Sequence, residues 1–168
     1  CFRKENSFET VPGDGNANAK ILFLGEAPGL NEAEEGLPFI GPAGKLLDRV
    51  LSEIGLSRDQ VFITNTIKCR PPQNRDPNSD EVANCKPYLK VQLQVIQPKL
   101  IICLGKVAAI NLLGLPEFRT ISSLRGKLFH RENIPVACTF HPSYALRNIT
   151  AYEDILSDVV KALKNEYT

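Results

Sequence analysis

Between Gly25 and Gly44 the sequence reads GEAPGLNEAEEGLPFIGPAG, with Glu26, Glu32, Glu34 and Glu35 set among glycines and prolines. Glycine lets backbone amides approach a ligand closely and proline holds a turn, while a carboxylate near them can orient a water or balance a developing cation. Glu34 and Glu35 read as a solvated acidic face. Glu26 and Glu32 lie nearer the glycines and are the candidates for chemistry. Phe39 is either core packing or an aromatic plate on which a planar ligand stacks. Taken alone, GEAPG is equally a tight turn leaving a strand. The whole connection is far longer than the two to six residues usual between a strand and a helix, which points to a site.

Two further segments carry side chains of suitable type. Asn65 closes VFITN, and its amide offers a donor and an acceptor to a ligand, or serves as a turn former. His141 closes VACTFH; an imidazole beside backbone amides can stabilise oxygen charge as a bond breaks. His130, in LFHREN, reads as a surface or turn residue. Of the five cysteines, Cys103 and Cys138 sit in apolar strand runs and read as small buried residues. Cys69 and Cys85, with fifteen residues between them, and Cys1 stand in contexts that fit thiolate ligands. Three is one short of the four that an iron–sulfur cluster or structural zinc takes.

These residues need a scaffold, and the hydrophobic pattern supplies one. Lys20 to Leu24, Val61 to Asn65, KLIICLG, RGKLFH and IPVACTF read as strands. Between them Pro42 opens a helix with Leu46, Leu47, Val50, Leu51 and Ile54 on one face before Gly55 stops it. Asn78 or Ser79 starts another that carries Leu89, Leu93 and Ile96 and is kinked at Pro87. Lys106 to Leu113 is a third, HPSYALRN a loop, and Tyr152 to Glu166 the closing helix. Alternating strands and helices predict an α/β fold with a mostly parallel sheet covered on both faces. In such sheets ligands sit beyond the carboxyl ends of the strands, where loops 25–41, 65–78 and 141–148 all lie.

Length and composition set the bounds. The 168 residues predict one globular domain, 1–168, and no stretch is long and apolar enough to span a membrane. A formal charge of +1 gives no global pull toward a polyanion, so such a partner has to be held by a local patch. Five cysteines without secretory features argue against a disulfide framework. The chain begins at Cys1 and holds no methionine, which suggests either that it has been clipped or that modified methionines are missing from it.

GEAPG, LPFIGPAG, ITNTIKCRPPQNRDP with the cysteine fifteen residues on, SLRGK and TFHPSYALRN together resemble the family 4 uracil-DNA glycosylases, in order and over nearly the whole chain. The resemblance implies a three-layer α/β/α fold around a four-stranded parallel sheet, with RGKLFH peripheral, and hydrolysis of the bond joining uracil to deoxyribose. It implies that the backbone around Glu26 and Ala27 contacts uracil, that Phe39 stacks on it, that Asn65 reads its pairing edge and that His141 faces O2. Family 1 enzymes carry an aspartate at the position of Ala27, so water activation has to come from elsewhere, with Glu26 and Glu32 as equal candidates. Relatives commonly read HPSYLLR where Ala145 stands here, which leaves Leu146 and Arg147 to fill the vacated base position. Lys68, Arg70, Arg75, Arg125 and Arg147 would supply local positive charge for DNA, single- or double-stranded. The family carries a 4Fe-4S cluster on four cysteines; Cys1, Cys69 and Cys85 match three, and the fourth is expected before residue 1. A monomeric, cytoplasmic bacterial or archaeal enzyme follows. A catalytically silent DNA-binding or iron–sulfur module of the same fold is the alternative, and a nucleotide-binding enzyme is disfavoured because GEAPG lacks the phosphate-binding patterns.

Overall fold

The computed structural model describes residues 9–165. Its strands are β1 (Asp14–Gly15), β2 (Ile21–Gly25), β3 (Phe62–Asn65), β4 (Leu100–Leu104), β5 (Leu128–Arg131) and β6 (Ile134–Thr139). They form one sheet in the order β1-β3-β2-β4-β6-β5. The inner four are mutually parallel, and β1 and β5 pair antiparallel at the two edges. The sheet thus has six strands rather than four. β1 is only two residues long, too short to leave a hydrophobic pattern, and β5 folds back on β6 through a tight turn with Glu132 at φ 53°.

Strand periodicity divides the core into two layers. Phe23, Ile63, Ile102 and Ala137 point to one face, where they meet α2 (Pro42–Glu53) and α7 (Ile149–Lys164) through Leu47, Val50, Leu51, Ile155 and Val159. Leu22, Leu24, Ile101, Cys103, Val136 and Cys138 point to the other, against α3 (Ser79–Ile96) and α4 (Lys106–Leu113). Helices on both faces make this a three-layer α/β/α arrangement, and the two strand cysteines are buried as expected.

Local signals set the helix ends. Pro42 occupies the first turn of α2, and Asn78 and Glu81 form a reciprocal capping box on α3, which runs on through Pro87. α7 begins three residues earlier than the apolar pattern suggests, because the Asn148 side chain caps it by accepting from the Thr150 amide. Three short helices escaped the sequence pattern: α1 (Leu30–Glu35) inside the long loop, α5 (Ile121–Leu124) and α6 (Pro142–Ala145). Each is too short to show a period. Among the described residues no helix is long and apolar enough to cross a membrane.

Candidate active site

Parallel pairing brings Gly25 of β2 beside Asn65 of β3 at the carboxyl end of the sheet. The ladder continues past both strands, since the Thr66 amide donates to the Gly25 carbonyl at 2.9 Å and the Ile67 amide to the Glu26 carbonyl at 3.1 Å. Asn65 shares strand parity with Ile63, which turns its side chain to the α2 face. There it is 1% exposed, and its Oδ1 is the one buried side-chain oxygen or nitrogen among the described residues without a hydrogen-bond partner. An amide oxygen left unpaired inside a protein is costly unless a ligand completes it.

The ring of Phe39 lies against the same point. A Cβ built on Gly25 would stand 2.4 Å from Asn65 Oδ1 and 2.5 Å from Phe39 Cζ, so glycine is what lets ring and amide meet. Phe39 itself is buried and holds a left-handed backbone, φ 51°, which a bulky residue keeps only when its surroundings enforce it. Four contacts do so. Arg58 Nη1 donates to the Pro38 carbonyl at 2.9 Å and Nη2 to the Phe39 carbonyl, with Arg58 Nε braced on Asp48. Glu32 Oε1 accepts the amides of Ile40 and Gly41 at 3.1 and 2.9 Å. Gly44 has no Cβ to strike the Phe39 peptide.

His141 closes the slot from β6. Its ring centroid is 5.6 Å from that of Phe39, and Gly105 leaves it room. Nδ1 accepts the Ser143 amide at 3.1 Å, which in the neutral ring puts the proton on Nε2. Burial pulls its pKa down to about 4 against the opposing charge of Glu32, so the imidazole is neutral near pH 7 and Nε2 is a donor. Glu26 is pushed up to about 7, first by burial and then by the charge and hydrogen bond of Asp76. Glu26, Ala27, Glu32, Phe39, Asn65 and His141 line one cavity of about 600 Å³. It holds a flat apolar plate, an amide edge, a neutral imidazole donor and a carboxyl that titrates near neutrality.

This constellation can be set beside known proteins. The profile of the uracil DNA glycosylase superfamily matches residues 12–164. The chain belongs to that superfamily. It is 48% identical over 168 residues to a type-4 uracil-DNA glycosylase of Archaeoglobus fulgidus, covering 96% of this chain and 84% of that protein. A protein of the same description from Sulfurisphaera tokodaii is 49% identical over 145 residues, covering 82% of this chain and 66% of the other. One from Thermotoga maritima is 40% identical over 168 residues, covering 96% and 85%.

Around this cavity the basic residues behave differently from one another. Arg75 lines the cavity while its guanidinium pairs with Glu81, and Arg70 Nε donates to Asn74 Oδ1 at 2.7 Å. Leu146, half exposed, also lines the cavity and Arg147 is exposed beside it. Arg125 is not brought there: its guanidinium is paired with Asp154 and Asp158 and stacked on Phe140. Lys68 is not a surface charge either, being 6% exposed. Ala145 faces the core rather than the mouth, and Tyr144 and Leu146 are the exposed large apolar residues of that loop.

Cys69 and Cys85 line a second cavity of about 650 Å³. Cys85 is a free thiol that accepts the Lys68 amide at 3.4 Å, Cys69 is disulfide-bonded, and Cys1 lies outside the described residues. Among the described residues no three His, Cys, Asp or Glu side chains are grouped to hold a metal ion. The free Cys85 thiol is a soft donor of the kind an iron–sulfur group takes, and Cys69 would join it as a thiolate. Sequence reasoning missed Arg58, Asp76 and Gly105. Asp76 carried a signal, an acid inside the QNRDP loop; the other two did not.

Proposed function

We propose that this chain is a DNA repair glycosylase that hydrolyses the N-glycosidic bond of uracil in DNA. The observation that carries the reading is the unpartnered Asn65 Oδ1 buried against the Phe39 ring. Uracil flipped from the stack would lie on Phe39. Asn65 would accept from N3–H and donate to O4, a pattern cytosine reverses, and a mismatched buried pair costs about 1–3 kcal/mol.

As the bond from C1′ to N1 breaks, its electron pair leaves with uracil and charge builds on O2, where Nε2–H of His141 would stabilise it. The sugar becomes oxocarbenium-like. Glu26 in its ionised form favours that cation and orients the water whose hydroxyl ends on C1′, while the water's remaining proton passes to Glu26 and then to solvent. Glu32, occupied with two loop amides, serves as a strut for Phe39. Leu146 would occupy the emptied base position, with Arg70, Arg75 and Arg147 on phosphates.

The same reading gives the second cavity a resident 4Fe-4S cluster on Cys69, Cys85, Cys1 and one further cysteine, a structural staple between the loop after β3 and α3. Ligation needs Cys69 as a thiolate, so its disulfide has first to be reduced by exchange with a dithiol, which is itself oxidised to a disulfide. The proposed setting is a single-domain monomer acting in the cytoplasm, where bacterial and archaeal DNA lies.

The test incubates the protein with a uracil-containing oligonucleotide and cleaves abasic sites with alkali. Strand scission is expected, and Asn65→Asp, which cannot donate to O4, should lower the rate at least about a hundredfold. No scission from the parent protein, or an undiminished rate in Asn65→Asp, sinks the reading.

A further inference from the structure

Beneath the slot, on the opposite face of the sheet, Lys68 is almost completely buried. An ammonium has three N–H donors, and here all three are used at 2.7 Å: on Thr64 Oγ1, on the Asn65 carbonyl and on Gln92 Oε1. Among the described residues no carboxylate pairs with it. Its acceptors are themselves anchored, because Thr64 Oγ1 and Gln92 Nε2 both donate to the Pro12 carbonyl, and the Lys68 carbonyl accepts the Val11 amide. The Lys68 amide donates to Cys85 Sγ, so the residue grips α3 at two points, Gln92 and Cys85.

Burying an amine among three oxygens is a poor way to gain stability, since desolvation is expensive and pulls the Lys68 pKa down to about 7 against the opposing effect of Cys85. What this one does is geometric. Asn65 is the last residue of β3, where ladder bonds give way to loop, and its carbonyl is clamped from behind by the ammonium while its amide faces the slot. We propose that Lys68 is a positioning residue that fixes the Asn65 amide against the ring of Phe39. This rests on the reading of Asn65 as the group that recognises uracil. It also replaces the expectation that Lys68 contacts DNA, because its ammonium is turned away from solvent.

The test compares Lys68→Met with the parent protein in three measurements well below the unfolding temperature. Backbone amide exchange at residues 65–67 should speed up at least about tenfold. Single-turnover uracil excision should slow by about ten- to a hundredfold, the loss expected when a binding group drifts by up to about 1 Å. Affinity for an oligonucleotide carrying an abasic analogue, which never engages Asn65, should stay within about twofold. A merely structural lysine would lower the unfolding temperature and leave excision by the folded protein intact; that outcome overturns the proposal, as does slowed excision with unaltered exchange, or excision and abasic-site affinity falling together. Should Lys68→Met fail to fold, Gln92→Leu removes one of the three acceptors on a half-exposed helix position, and exchange and excision must then change in the same direction by about threefold. If the parent protein excises nothing, the function proposed above fails, and amide exchange alone still judges the clamp.

Discussion

Replacing Gly25 by alanine adds a single methyl at the point where the slot is tightest. That Cβ would lie 2.4 Å from Asn65 Oδ1 and 2.5 and 2.7 Å from Phe39 Cζ and Cε2, whereas ordinary contact begins at 3.4 Å. Ring and amide must therefore part by about 1 Å, and neither has easy room. Asn65 is 1% and Phe39 4% exposed, and the Phe39 backbone is held by Arg58 and Glu32. Packed interiors give way poorly to an added methyl, so a loss of about 1–3 kcal/mol in stability is expected. The larger effect falls on rate, because a misplacement of about 1 Å at a reacting centre costs about a hundredfold. Single-turnover excision from a uracil oligonucleotide, read beside urea unfolding, separates the two. A double-mutant cycle adds specificity: in an Asn65→Ala background the clash with Oδ1 is gone, and Gly25→Ala should cost markedly less than in the parent. Gly25→Ala with parental kcat/KM, or with strict additivity in the cycle, would refute the claim that one slot is built from positions 25, 39 and 65.

Asp76→Asn removes the charge that helps push Glu26 up to about 7 while leaving burial in place. If proton binding weakens tenfold, the ionised fraction at pH 5.5 rises from about 3% to about a quarter, so the acidic limb of the kcat/KM profile moves down and the rate at that pH increases roughly eightfold; an unmoved limb removes Glu26 from the role. For His141 the folded pKa, about 4, lies below the ordinary 6.5, so its contribution to stability is full above pH 6.5 and is lost as the pH falls toward 4. His141→Gln should flatten that part of the unfolding-temperature profile, and an unchanged slope would contradict the assignment. Ala145→Leu should destabilise by about 1–3 kcal/mol through overpacking, without changing the ratio of duplex to single-strand excision; a selective gain on duplex would mean that the side chain faces DNA after all.

The parallel strands were legible because their apolar runs are continuous, and with them the end of the sheet where ligands gather. Asn65 and His141 could be placed at that end from sequence alone, since each closes such a run. The surroundings of these residues were not legible. Glu32 reads as a candidate for chemistry beside the glycines, and its hold on the loop shows only when the chain folds back eight and nine residues later to offer two amides. Lys68 and Arg125 stand in basic, polar segments that read as solvent-facing, and their true partners, Gln92 and Asp158, are 24 and 33 residues away. Local pattern reports periodicity; whether a cation is buried is decided by contacts that no local pattern contains. Ala145 failed for a related reason, as the loop reading gave way to a short helix that turns it inward.

The replacement of an aspartate by Ala27 makes sense only if the neighbouring carboxyl can do similar work, and the environment of Glu26 supplies a reason why it can. A carboxyl held near neutrality is partly protonated in the resting pocket and so carries less charge to repel the phosphates of an arriving strand. On the proposed reading, a sugar turning cationic would favour the ionised form of Glu26, making it anionic most readily when an anion is useful. On the reading proposed above Glu32 has a different task, because its Oε1 accepts the two amides that follow Phe39. Its charge acts on His141 instead, opposing the burial that keeps the imidazole neutral. The two carboxylates that sequence ranked equally both line the cavity, and what they touch supports proposing different tasks for them: Glu26 stands against Asp76, and Glu32 holds the amides after Phe39.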